Sequence, residues 1–234
     1  MQIKYPIRIN RYLALHNYAT RKDADKLIKK GLVLINENKA VLGDQVKETD
    51  KVIVLFKTPK NKNVYYAYNK PIGVLTNKDS NQKDILETTK FPTKVFPIGR
   101  LDKDSYGLII MTNDGRVTDR LLSPQYSHEK EYLVKVDRNF SDKFISSIQN
   151  GVHFDGIVSK KCKAKRKDKN TFYITLTEGK KRQIRRMCES LHHTVIDLKR
   201  TRIMNIELNK IPPGEYREIK GAELKKFLKS LSLI

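Results

Sequence analysis

IGRLDKDSYGLIIMTNDG, residues 98–115, packs Asp102, Asp104, Ser105 and Gly107 into six residues and runs directly into the apolar stretch Leu108–Met111. The plain reading is an acidic turn feeding a buried strand, closed by an Asn-Asp-Gly turn. Two familiar sites are excluded. An EF-hand loop opening at Asp102 would need an oxygen ligand at its fifth position and a bidentate Glu at its twelfth, where Tyr106 and Asn113 stand. A phosphatase-like Asp pair would follow an apolar strand directly, whereas Gly99 and Arg100 precede Asp102.

Downstream, EYLVKV (131–136) reads as a strand. SDKFISSIQNG (141–151) reads as a helix capped by Ser141 and closed near Gly151, and IVSKKCKAK with TFYITLT as a hairpin turning at Asp168–Asn170. KRQIRRMCESLH places Ile184, Met187, Cys188 and Leu191 on one helical face and Arg182, Arg185 and Arg186 on the other. RTRIMNIEL is a further strand and AELKKFLKSLSL a closing amphipathic helix. Upstream, VFPIGRLD is extended, and VYYAYNKP and GVLT are strand-like. The polar run KTPKNKN (57–63) marks a linker. Before it, RINRYLALH and a helix capped by Thr20 and ended at Gly31 are followed by the strands LVLIN and KVIVLF, joined through a turn around Gly43 and Asp44. The expected fold class is α+β. A small helix-helix-sheet domain (1–56) precedes the linker (57–63) and a domain (64–234) with a mixed, mostly antiparallel sheet flanked by helices.

The 234 residues carry 48 Lys plus Arg against 26 Asp plus Glu, a net charge of +22. Such an excess repels itself in a compact fold, and it points to a polyanion, nucleic acid above all, as partner. The densest cluster lies between Lys160 and Arg202, with 15 basic and 4 acidic residues, many of them Arg, which grips phosphate bidentately. No run approaches the roughly 18 apolar residues of a membrane span. MQIKYPIRIN lacks the apolar stretch of a secretory signal, so a cytoplasmic location with no membrane partner is expected. Cys162 and Cys188 have neither disulfide nor zinc spacing and read as ordinary thiols.

GRLDKDSYGL (99–108) resembles the catalytic signature of pseudouridine synthases. YNKPIGVLT (68–76), HEKEYLVKV (128–136) and EGKKRQIRRMCESL (178–191) match the same family in its order, and residues 8–55 resemble the RNA-binding domain named after ribosomal small-subunit protein four. The endings KKCKAK and LKRTRIMNIEL are most similar to the F type of large-subunit synthase. The N-terminal domain departs from the pattern at its first hairpin, where Glu37 follows Asn36. A longer turn is expected there, with Asn38 supplying a positive φ.

The resemblance implies an isomerase that turns a uridine of large-subunit (23S) ribosomal RNA into pseudouridine, without cofactor or metal. The RNA would be free or in an assembly intermediate, a transfer RNA is an alternative second substrate, and the enzyme would act as a monomer. It implies that Asp102 is the catalytic carboxylate, as nucleophile or base, with Arg185 its guanidinium partner; a surface pair from Arg185 to Glu189 is the alternative. Tyr132 would stack on the target base, although strand alternation equally allows a core position. Arg100 would fill the vacated place in the RNA stack, beside Leu101. Ile184 and Arg182 would line the pocket, with Lys70 and Pro71 in a nearby loop. Arg8, Arg11, Arg21, Lys22 and Lys26 would bind phosphates. A non-catalytic RNA-binding or ribosome-assembly factor is the competing class, but it has no need of a carboxylate among phosphates.

Overall fold

The computed structural model describes residues 5–16, 18–55, 62–77 and 82–234. The chain divides into two compact units, Met1–Asn63 with Asn113–Val117, and Val64–Thr112 with Thr118–Ile234. Most of the expected linker, residues 57–61, lies outside the described residues.

In the first unit, β1 (Ile7–Arg8) leads into α1 (Ile9–Leu15) and α2 (Arg21–Lys29), followed by β2 (Val33–Ile35), β3 (Asn38–Lys39), β4 (Gln45–Val46) and β5 (Val52–Val54). Thr20 caps α2 by accepting from the Asp23 amide at 3.2 Å. Ile9, Leu13, Ala24, Ile28, Val33 and Val46 form the core, so the apolar stripes of both helices face the small sheet. Two expectations are corrected. LVLIN and KVIVLF are not joined by one turn at Gly43: β2 first pairs with β3, β4 pairs with β1, and only then does β5 return to β2. Nor is the first hairpin longer. Ile35 pairs with Asn38 across a two-residue turn in which Asn36 and Glu37, not Asn38, take positive φ of 48° and 69°, the right-handed-twist-compatible hairpin geometry. The Asn36 side chain holds it, donating to Asp50 and accepting from the Lys51 amide.

The second unit contains β6 (Tyr65–Lys70), α3 (Ile85–Thr88), β7 (Phe96–Ile98), β8 (Tyr106–Thr112), the part of α4 (Gly115–Leu122) from Thr118 onward, β9 (Lys130–Val136) and α5 (Asp142–Asn150). It continues with β10 (His153–Phe154), β11 (Ile157–Val158), β12 (Lys163–Arg166), β13 (Thr171–Leu176), α6 (Gln183–Ser190), β14 (Val195–Ile203), β15 (Ile206–Glu207), β16 (Tyr216–Glu218) and α7 (Gly221–Ser230). Its sheet runs β12-β13-β9-β14-β8-β6-β16, with β15 on β14 and β7 on β8. Every pairing in it is antiparallel except β14 with β8. The fold is therefore α+β with a mixed, mostly antiparallel sheet. One core packs α5 and α6 against β9 and β13 through Phe144, Ile148, Phe172 and Met187. A second gathers Tyr66, Tyr68, Ile85, Ile109 and Met111.

Local readings are corrected here too. GVLT is a turn, with Leu75 making only an isolated bridge to Asp84. The Asn-Asp-Gly turn opens the unforeseen helix α4, because Asp114 accepts from the Arg116 amide at 3.1 Å and holds its guanidinium, organising the first turn. Ser141 stands at the N-cap of α5 without a side-chain cap bond. RTRIMNIEL breaks into β14 and β15 at Met204, whose φ is 52°. Both cysteines are free, and burial pushes the Cys162 and Cys188 thiols up to about 11 and about 12.

The parallel junction is tight. Lys199 lies opposite Tyr106 and Arg200 opposite Gly107, and a Cβ on Gly107, whose φ is +106°, would collide with the Arg200 carbonyl oxygen and nitrogen. Gly107→Ala is therefore expected to destabilise the protein by at least roughly 2 kcal/mol. Urea unfolding would measure it, and a loss below about 0.5 kcal/mol would contradict the close approach.

Candidate active site

Asp102 sits on the loop between β7 and β8, held by its main chain. The Thr76 hydroxyl donates to the Leu101 carbonyl at 2.7 Å and accepts from the Leu101 amide at 3.0 Å. The Gly73 amide donates to the Lys103 carbonyl at 2.8 Å, and Ser105 closes a turn onto the Asp102 carbonyl at 3.1 Å. The loop 71–74 opposite is fastened by Lys70, fully buried, whose ammonium donates to the carbonyls of Pro71 at 2.9 Å and Val74 at 2.7 Å. Lys70 and Pro71 thus shape the wall behind the acidic turn.

A cleft of about 760 Å³ opens over this loop. Of the residues singled out in the sequence, Arg100, Leu101, Asp102, Tyr132, Arg182 and Ile184 line it, and Lys70, Pro71 and Arg185 do not. Tyr132 on β9 lies between Ile174 of β13 and Arg200 of β14 in register, and packs against both cores while facing the cleft. It is both a packing and a lining residue. Ile184 is buried on α6 within the first core.

The guanidinium partner of Asp102 differs from expectation. Arg185 donates to the Val195 and Asp104 carbonyls, each at 2.9 Å, and its ion pair is with Asp104 at 3.2 Å. Arg182 is the one beside Asp102, with Nη1 3.9 Å from Oδ2, while it also grips Asp104 through two bonds of 3.1 and 2.9 Å. The reason is local backbone geometry. Arg182 is the N-cap of α6 in the left-handed region, φ 51°, which turns its side chain toward the acidic loop; Arg185 lies further along the helix and reaches β14. For Asp104, burial works to raise its pKa, and the Arg182 bonds with the charge of Arg185 outweigh it, leaving the carboxyl below its usual value.

Sequence reasoning missed Thr76, Lys130, His128 and Arg200. Arg200 is 3% exposed, between the inward-facing Leu198 and Ile203 on β14. An Arg at a core-facing strand position is the signal that could have found it. Among the described residues no group of His, Cys, Asp and Glu is arranged to hold a metal. The five expected phosphate ligands are all exposed in the first unit: Arg8 on β1 rather than on a helix, Arg11 on α1, and Arg21, Lys22 and Lys26 on α2. Lys26 also pairs with Asp23 at 3.4 Å.

A family model described as RNA pseudouridylate synthase matches residues 64–190. The dual-specificity RNA pseudouridine synthase RluF of Escherichia coli (strain K12) is 43% identical over 223 residues, covering 93% of this chain and 77% of that protein. Ribosomal large subunit pseudouridine synthase B of Bacillus subtilis (strain 168) is 32% identical over 230 residues, covering 94% of each. A crystal structure of a pseudouridylate synthase superposes with a TM-score of 0.71 at 27% identity, covering 96% of this chain and 99% of that one.

Burial holds the Lys70 ammonium down at about 8, against the pull of Asp104 and Asp102. Its ordinary value is 10.5, so between about pH 8 and 10.5 the folded chain has released a proton that the unfolded chain keeps, and stability gains with rising pH. Urea unfolding at about pH 7.5 and 9.5 should show the wild type gaining roughly 1–2 kcal/mol relative to Lys70→Met. An identical pH response in the two proteins would contradict the assignment.

Proposed function

The chain belongs to the RNA pseudouridylate synthase family, and from that premise we propose that it isomerises a uridine of large-subunit ribosomal RNA, in the cytoplasm and as a monomer, with Asp102 as the reacting carboxylate. The observation that carries the reading is the convergence of Asp102, Tyr132 and Arg182 on one cleft of a size suited to a nucleotide. Similarity to RluF and to the large-subunit synthase B supports ribosomal RNA as the substrate class.

Pseudouridine formation breaks the bond from the sugar's C1′ to N1 of the base, turns the base and rejoins it through C5, with no net change in oxidation state. Asp102 acts beside the sugar, as nucleophile or as base. The Arg182 guanidinium lies 3.9 Å from its carboxylate, and Arg185 is a positioning residue that fixes the Asp104–Ser105 turn. Tyr132 supports the base, and Leu101 and Ile184 complete an apolar lining. The nucleotide reaches this cleft by flipping out of its stack at a cost of a few kcal/mol. Arg100, exposed on the same cleft, fills the place it leaves. Residues 1–56 serve as the RNA-binding domain, with Arg8, Arg11, Arg21, Lys22 and Lys26 orienting the substrate through phosphates.

Tritium release from ribosomal RNA labelled at C5 of uridine tests the reading. The wild type should release tritium without added metal or nucleotide, and Asp102→Asn should lower the rate by about a thousandfold or more while RNA affinity stays within about tenfold. Full activity of the variant would remove Asp102 from the chemistry. No release by the wild type, on free RNA and precursor particles alike, would favour a binding factor. RNA affinity should also fall steeply from about 50 to 200 mM salt, and a flat response would contradict phosphate contacts by the basic face.

A further inference from the structure

The floor of the cleft holds positive charge that no carboxylate among the described residues pairs with in a salt bridge. Arg200 donates through Nε to the Leu108 carbonyl at 2.6 Å and through Nη1 to the Arg100 carbonyl at 3.4 Å. Its Nη2 is buried, and no described residue partners it. Lys130, two residues before Tyr132 on β9, faces the same cleft, and among the described residues its ammonium donates to one backbone carbonyl, that of His128, at 3.3 Å. Burial and the charge of Arg200 hold this ammonium down at about 8. The neighbouring carboxylates are engaged elsewhere. Glu129 pairs with Lys163 and Arg202, Glu131 with Thr201 and Arg202, and Glu178 with Gln183, Lys180 and the Lys160 amide. Asp102 stands half-exposed.

A buried guanidinium N–H without an acceptor is costly, and more so in a cleft that Leu176, Leu198 and Ile203 also line. It is compensated when a ligand brings an acceptor or a negative charge. Arg200 is the register neighbour of Tyr132 on the adjacent strand, so a base lying against Tyr132 presents an edge to Arg200. Phosphates are charged throughout the reaction and suit the solvated basic rim. The base is neutral when bound and becomes anionic only when its bond to C1′ breaks.

We propose that Arg200, with Lys130 beside it, is a catalytic residue that donates to a uracil carbonyl oxygen and stabilises the base anion released from the sugar. This rests on the isomerase reading above. When C1′–N1 breaks, the electron pair stays on N1 and spreads over the carbonyl oxygens, where Nη2–H meets it. The base then turns, C5 forms the bond to C1′, the C5 hydrogen leaves as a proton and N1 takes up a proton, so atoms and charge balance without a co-reactant. An interaction of this kind strengthens as the bond breaks and therefore acts on turnover rather than on binding.

Single-turnover tritium release from C5-labelled ribosomal RNA at saturating protein, together with RNA affinity, decides it. Arg200→Gln should lower the saturated rate by about a hundredfold, and Arg200→Lys by about tenfold. RNA affinity, compared between Asp102→Asn and Asp102→Asn/Arg200→Gln, should change by less than about threefold, with an unaltered salt slope. A loss of affinity with a slope smaller by about one would make Arg200 a phosphate ligand and overturn the proposal, as would an unchanged rate. Arg200 also fastens two backbone carbonyls, so if Arg200→Gln does not fold, Lys130→Met carries the test; a wild-type rate at saturation would refute the cationic floor. Absence of release by the wild type would instead count against the isomerase reading.

Discussion

The second unit depends on one contact between two strands that run the same way. β8 and β14 meet at only two residue pairs, Tyr106 with Lys199 and Gly107 with Arg200, and this short parallel seam joins the strands β12, β13, β9 and β14 to β8, β6 and β16. A parallel pair requires a long crossover connection, and here the crossover contains β9 through β13 and α6. Side chains reinforce what the backbone supplies sparingly: Arg200 reaches the Leu108 carbonyl, and the Tyr106 hydroxyl donates to Asp197 at 3.0 Å. Burial and the bond to that carboxylate together push the Tyr106 phenol up to about 12, so the link persists across the ordinary pH range. Asp102 precedes this seam by a few residues, which places the proposed reacting carboxylate where the two parts of the sheet meet.

Two acidic residues on one short turn divide their work. Asp104 takes two bonds from Arg182 and an ion pair from Arg185, so it ties α6 to the loop. Asp102 has the Arg182 guanidinium at the longer distance of 3.9 Å and keeps 41% of its side chain accessible. Structural anchoring by one carboxylate allows the other to face the cleft. The left-handed backbone at Arg182 is part of the same arrangement, since a helix begun in the ordinary way would aim that guanidinium elsewhere.

Much of this was legible in the sequence. The alternation of short strands with helices pointed to the mixed sheet, the Thr20 cap and Gly31 marked α2, and the acidic signature marked the loop that lines the cleft. What was hidden depends on contacts distant along the chain. Nothing local to Arg185 distinguishes a partner of Asp102 from a partner of Asp104; the choice is made by φ at Arg182 and by the approach of Val195. Thr76 becomes a clamp only when loop 71–77 comes beside Leu101. GVLT has the composition of a strand, yet Lys70 fastens it as a turn. The helix after Asp114 was missed because Asn-Asp-Gly is read as a turn, while Asp114 in fact organises the first turn of α4.

The Asp102 loop is fastened through its main chain, by Thr76 to Leu101, Gly73 to Lys103 and Arg200 to Arg100. Its exposed side chains at positions 100 and 103 carry none of these bonds. They can change in evolution without moving the carboxylate of Asp102, two residues from one and next to the other. Such a loop can be retuned toward a different RNA sequence or shape by drift at its outward positions while the chemistry stays fixed, which is the economy that allows one scaffold to serve many substrates.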